Sequence, residues 1–223
     1  PAGPENVFSD ISLADEHTRF PLRNVFELDL MDTLLVRPQT LLVEEKADHV
    51  YLYVVTKMLQ DLGKQGLDSR WTVVPITNSE NIDSFSSLFG ESTLDVAALL
   101  NGRSVPRRGR GEGDEGPPTR TVSEYGSADG GTIEDVLSEP FYLEIVNQAY
   151  ASEIGANGGV PDRIDADDLD GSGPIVERLR SYFDANNVND GVFDRLTPAL
   201  YLQRNREEFV DDLDRGTRTA FTR

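Results

Sequence analysis

A chain of 223 residues, 38% hydrophobic and 27% charged, is long enough to bury one substantial core and is composed like a folded domain rather than a disordered one. Forty acidic residues against 21 basic ones give a formal net charge of −19. The lack of cysteine excludes disulfides, thiolate metal sites and cysteine nucleophiles, and no run approaches the about 18 apolar residues of a membrane span.

The basic residues are skewed: only Lys46, Lys57 and Lys64 are lysines and the other 18 are arginines. Such a balance predicts adaptation to molar salt, where the Debye length falls to about 3 Å and repulsion among surface carboxylates is screened; an ordinary acidic protein is the alternative. In dilute buffer this charge would argue against nucleic-acid partners, whose affinity comes largely from neutralised phosphates, but molar salt weakens that exclusion. No basic-then-apolar leader opens the chain, so a cytoplasmic protein without membrane contact is expected.

In chain order, residues 1–27 read as a polar, proline-bearing N-terminal extension. Leu28, Met31, Leu34 and Leu35 fit a short helix with Asp29 and Asp32 on its other face. Thr40 to Val43 form a strand that ends at Glu44, and from Lys46 the period becomes helical, with Val50, Tyr51, Val54, Met58 and Leu62 on one side. A second strand follows at Trp71 to Ile76, then a short helix carrying Ile82, Phe85, Leu88 and Phe89, then a third apolar run from Leu94 to Leu100. Alternation of this kind predicts an α/β fold with a mostly parallel sheet flanked by helices.

The Gly- and Arg-rich stretch from Gly102 to Gly116 reads as a mobile loop, and Thr121 to Tyr125 as a fourth strand. Ser138-Glu139-Pro140 opens a helix whose apolar face is Phe141, Tyr142, Ile145, Val146 and Ala149. An acidic loop runs from Gly155 to Gly173, followed by a helix with Ile175, Leu179, Tyr182 and Phe183. One or two more helices carry Leu200, Tyr201, Phe209, Val210 and Leu213, with Thr197-Pro198 as cap and first-turn pair. The expected organisation is an α/β domain over 28–151 and a helical C-terminal region over 152–223.

Glu44 and Asp48 are the residues with most chemical promise. A strand ending at Glu44 and a helix starting at once would turn both carboxylates toward the crevice beyond the strands' carboxyl ends, where oxygen ligands invite Mg²⁺. The competing reading makes Glu44 a turn cap and Asp48 a first-turn residue favoured by the helix dipole. Arg107, Arg108 and Arg110 could track a phosphate backbone or sit in a linker balanced by Glu112, Asp114 and Glu115. Asp168-Leu169-Asp170-Gly171 with Glu177 imitates the later part of a calcium loop, but Ala166 stands in its first ligand position and a solvated acidic loop is expected. His17 and His49 form no zinc pair, and His49 is expected on the helix surface.

The phrase Leu41-Leu42-Val43-Glu44-Glu45-Lys46-Ala47-Asp48-His49-Val50-Tyr51-Leu52 resembles the first Toprim motif of OLD-family ("overcoming lysogenization defect") ATP-dependent endonucleases. Asp32-Thr33-Leu34-Leu35, Val74-Pro75-Ile76, Asn81-Ile82, Leu94-Asp95-Val96-Ala97, Thr132-Ile133-Glu134-Asp135-Val136 and Phe141-Tyr142 continue the similarity in order, so it covers roughly Asp32 to Tyr150. The resemblance implies a Toprim-like fold and DNA cleavage dependent on Mg²⁺ or Mn²⁺, in a defence or repair protein. It also implies an ATPase domain upstream of Pro1, since no G-x-x-x-x-G-K-S/T loop is present, and a homodimer.

By the same resemblance Glu44, Asp48, Asn101, Thr132 and Glu134 form the metal set, with Asp135 a nearby spare, and Glu44, Asp48 and Arg195 the catalytic set. Two departures matter. The Asp-x-Asp pair of Toprim proteins falls on Asn101-Gly102-Arg103, which lacks both acids, and the family's late lysine falls on Arg195, which cannot exchange a proton. Cleavage by two metal ions about 4 Å apart therefore competes with a non-catalytic Toprim scaffold that binds nucleic acid or a protein partner. A capping arrangement at a helix start is the plainer reading of Thr132 to Asp135.

Overall fold

The computed structural model describes residues 39–77, 82, 95–102, 117–126, 129–156 and 162–222. Three short, largely apolar runs and a brief polar edge strand form its sheet: β1 (Gln39–Val43), β2 (Trp71–Pro75), β3 (Asp95–Leu100) and the edge strand β4 (Thr119–Thr121). All pairings are parallel, in the order β2-β1-β3-β4, with Val43 opposite Pro75 on one side and Leu99 on the other. The chain thus winds from β1 outward to β2, then crosses back past β1 to β3. That reversal falls between the carboxyl ends of β1 and β3, the place where open α/β sheets bind ligands.

Helix α1 (Lys46–Asp61) connects β1 to β2, as a parallel pair requires. Its period buries Val50, Tyr51, Val54, Val55, Met58 and Leu59 while Tyr53 stays exposed. Glu45 and Asp48 close its N-terminus as a reciprocal capping box. At its other end Gly63, at φ +68°, lets the amides of Gly63 and Lys64 donate to the carbonyls of Gln60 and Leu59, the paired bonds of a left-handed helix stop.

Helices α2 (Glu139–Ala149), α3 (Ala151–Ala156), α4 (Ile175–Asn186), α5 (Leu196–Arg204), α6 (Arg206–Phe209) and α7 (Arg215–Ala220) complete the described chain. One hydrophobic cluster runs from Val43 through Tyr51, Tyr142 and Tyr150 to Phe183, Leu202 and Leu213, so the core continues across residue 151. Tyr150 joins the two stretches: its ring meets Phe183 edge-on at 4.9 Å and Phe193 at 5.8 Å.

Three local expectations need correction. The fourth strand is Thr119–Thr121, because Thr121 and Glu124 form a capping box that turns the chain into a 3-10 helix over Val122–Glu124. Thr197 and Pro198 lie inside the first turn of α5, and the capping carboxylate is Asp194, which accepts from the Leu196 amide at 3.0 Å and the Thr197 hydroxyl at 3.1 Å. His49 is half-buried, its Nδ1 donating to the Val73 carbonyl at 3.0 Å and tying α1 to β2. The expected helix at Leu28 to Leu35 and loop residues 103–116 lie outside the described residues, as does the helix around Phe85 apart from the buried Ile82. Among the described residues no helix is long and apolar enough to cross a membrane.

Candidate functional site

The crevice at the strand reversal is built from the residue that follows each central strand. Glu44, just past β1, is buried, and its Oε2 accepts from the Asn101 amide, just past β3, at 2.7 Å. Asn101 is itself buried, and its side-chain Oδ1 has no hydrogen-bond partner. The next residue has to be glycine: a Cβ at Gly102 would lie 1.9 Å from the Ser123 hydroxyl and 2.8 Å from the Gly130 Cα. That close approach lets the Gly102 amide donate to the Gly131 carbonyl at 2.8 Å, which brings the segment leading to Thr132 against the end of β3.

Thr132 caps a 3-10 helix over Ile133–Val136, its amide donating to Asp135 Oδ2 at 2.8 Å. The other oxygen of Asp135 accepts from the Ile175 amide at 2.8 Å and so holds the start of α4. With Asp135 spent on the cap, Glu134 points inward and is fully buried, and the Thr132 hydroxyl donates to its Oε2 at 2.5 Å.

Arg195, immediately before α5, fills the space these acids surround. Its Nε and Nη2 donate to the two oxygens of Glu134 at 2.7 Å each, a bidentate fork. Nη2 also donates to Asp48 Oδ1 at 2.7 Å, and Nη1 pairs with Glu45 Oε1 at 2.5 Å. The guanidinium is only 3% exposed. Asp48 Oδ2 meanwhile accepts from the Glu45 amide at 2.9 Å, so one carboxylate serves both the helix cap and the ion network.

One buried cation against two buried carboxyl groups and the half-exposed Glu45 moves proton affinities. Burial pushes Asp48 up to about 7, against the pull of Arg195 and with added repulsion from Glu134 and Glu45. Burial alone would lower Arg195, but Glu134 and Asp48 outweigh it and hold the guanidinium well above its ordinary value. Beneath the network Tyr51 and Tyr142 pack edge-on at 6.2 Å, and burial, with Glu134 adding to it, raises both phenols well above their usual range.

The structure therefore brings Asp48, Thr132, Glu134 and Arg195 into one network and pairs Glu44 with Asn101 beside it. Glu45 is a member that sequence reasoning passed over. The Glu45-x-x-Asp48 spacing of a capping box is the signal that would have found it. The site borders two clefts: one of about 250 Å³ lined by Glu45, Lys46, Thr77, Arg180 and Arg195, and one of about 370 Å³ lined by Glu134, Asp135 and Arg178. Thr77, in the first of these, sits at φ +65°, a backbone region that costs a β-branched residue strain. A separate apolar cleft of about 270 Å³ lies against the sheet at Leu41, Leu99, Tyr125 and Phe221, away from the carboxylates.

The metal set fits Mg²⁺ poorly in this arrangement. Both oxygens of Asp48 and both of Glu134 are bonded to protein donors, and one oxygen of Glu44 is held by Asn101. Among the described residues no group of three or more His, Asp or Glu side chains is arranged to hold a metal ion. The calcium-like segment is likewise committed to structure: Asp168 Oδ2 accepts from the Asp165 amide at 2.8 Å and caps a 3-10 turn over Ala166–Asp168.

Compared with known protein families, characterised proteins and solved structures, the chain shows no significant match.

Proposed function

We propose that the chain is a Toprim-like, non-catalytic module of an OLD-type ATP-driven protein, and that it engages DNA along the crevice at the ends of β1 and β3. The observation that carries this reading is Asn101: where the resemblance calls for an acid at the end of β3, an amide stands, and its backbone N–H occupies the Glu44 carboxylate. Two-metal cleavage needs ions about 4 Å apart, each held by several oxygens, and one carboxylate between two strand ends is a poor start for that. The collinear motifs from Asp32 to Tyr150 support the family, and the arginines that follow Asn101 in sequence supply phosphate-binding groups.

Metal-dependent cleavage is the second reading, favoured by the buried place of Glu44 at the strand reversal. Fluorescence anisotropy with labelled DNA in molar KCl, run beside a plasmid-nicking assay with Mg²⁺ or Mn²⁺, separates the two. The expected result is saturable DNA binding without nicking. Nicking that needs the metal and disappears in Glu44→Ala would establish the nuclease instead, and absence of binding would leave a protein-partner scaffold.

A further inference from the structure

We infer that Arg195 is the resident cation of this site: its guanidinium supplies, from within the chain, the positive charge on which Glu45, Asp48 and Glu134 converge, and only its removal would open the place to a divalent metal. An ordinary ion pair sets one carboxylate against one cation. Here two buried acids, Asp48 and Glu134, and the half-exposed Glu45 converge on one nearly buried guanidinium, more acidic oxygen than a single positive charge balances.

The surroundings are those of a cation site. The Thr132 hydroxyl orients Glu134 and the Glu45 amide orients Asp48, as outer hydrogen bonds orient metal ligands. Arginine suits the substitution because its fixed fork of donors matches several carboxylates at once and its charge is permanent. A lysine would offer a single point charge that burial could neutralise. A hard divalent ion could enter only by expelling the guanidinium, since two cations a few ångströms apart in a buried site repel strongly.

The position of Arg195 in the chain adds a structural consequence. It lies 147 residues beyond Asp48 and 61 beyond Glu134. The bonds therefore lock the start of α5 onto the β1–α1 turn and the 3-10 helix, so the cation that completes the site also docks the C-terminal helices. The inference rests on this geometry alone and holds whether or not the crevice meets DNA.

Mn²⁺ titration of metal-stripped protein in molar KCl, followed by electron paramagnetic resonance and by thermal unfolding, tests it. Wild type is expected to show no saturable Mn²⁺ binding and no change of melting temperature. Arg195→Ala is expected to bind about one Mn²⁺ per chain, and its melting temperature to rise by roughly 5–10 °C at ~100-fold excess over the dissociation constant. Adding Glu134→Gln to that variant should remove the gain. Saturable binding to wild type that Glu134→Gln weakens overturns the inference, as does an Arg195→Ala variant that gains no binding. If Arg195→Ala does not fold unaided, its refolding yield is measured with and without Mn²⁺: recovery by Mn²⁺ supports the inference and failure to recover overturns it.

Discussion

Asp48 is asked to close a helix and to neutralise an arginine in a place with almost no water. Its pKa rises to about 7 because burial outweighs the attraction of Arg195. The sign of the consequence follows from the unfolded value of 3.8: between the two pKa values the folded chain holds a proton that the unfolded chain has released. The stability this group contributes is complete in acid and is lost as pH rises through about 7, at about 1.4 kcal/mol for each pKa unit. Denaturant titrations of wild type and Asp48→Asn from about pH 4 to about pH 8 should therefore diverge, wild type losing stability relative to the variant toward alkaline pH. Parallel curves would refute the raised pKa, since a lost capping bond alone shifts the variant by a constant amount. The Glu-x-x-Asp spacing places Asp48 at the third position of a helix and the strand before it points to the crevice, so that part of the site is legible in sequence. Its partner Arg195 is reached in sequence only through the resemblance and carries no local signal of its own, because what selects it is the field of three acids brought together by folding.

At the level of elements, each apolar run long enough to cross the sheet is recognisable, and the parallel arrangement follows from the alternation of strand and helix. What escapes is where short elements stop. The stops are set by side chains that bind their own backbone: Thr121 and Glu124 end β4, and Asp194 starts α5. The acidic segment beyond α3 shows the same rule on a larger scale. Its composition predicts a solvated loop, yet Ile164 and Leu169 are buried. Asn147 of α2 pins it by donating to the Ile164 carbonyl at 2.9 Å and accepting from the Ile164 amide at 2.7 Å. Arg178 of α4 adds a bond from its Nη2 to the Leu169 carbonyl at 3.3 Å. Asn147→Ala strands both backbone groups of Ile164 and should cost about 1–3 kcal/mol. Amide hydrogen exchange localises the effect: the Ile164 amide should lose protection more than the amides of α1, and an unchanged rate there would show that the segment is held by its apolar contacts instead.

The whole molecule carries at least 19 carboxylates beyond one-to-one pairing, from 40 acids less 21 bases. Exposed ion pairs among the described residues, such as Arg70–Asp68, Arg120–Glu124 and Arg163–Glu144, contribute about 0–1 kcal/mol each. They cannot offset repulsion spread over the whole surface. Salt can, because raising KCl from about 0.1 M to about 1 M shortens the Debye length from about 10 Å to about 3 Å, so exposed charges farther apart than that are screened from one another. Thermal unfolding should therefore move to higher temperature steadily as KCl rises through that range, and full stability in dilute buffer would refute salt adaptation. The buried network responds differently. Arg195, Asp48 and Glu134 are shielded from solvent ions by the chain itself, with Glu45 half-exposed at the rim, so the pH-dependent contrast between wild type and Asp48→Asn should persist in molar KCl while the surface repulsion disappears. Measuring that contrast at both ends of the salt series separates the two sources of charge: a contrast that fades with salt would place Asp48 in contact with solvent, and one that survives places it in the sealed interior that Arg195 closes.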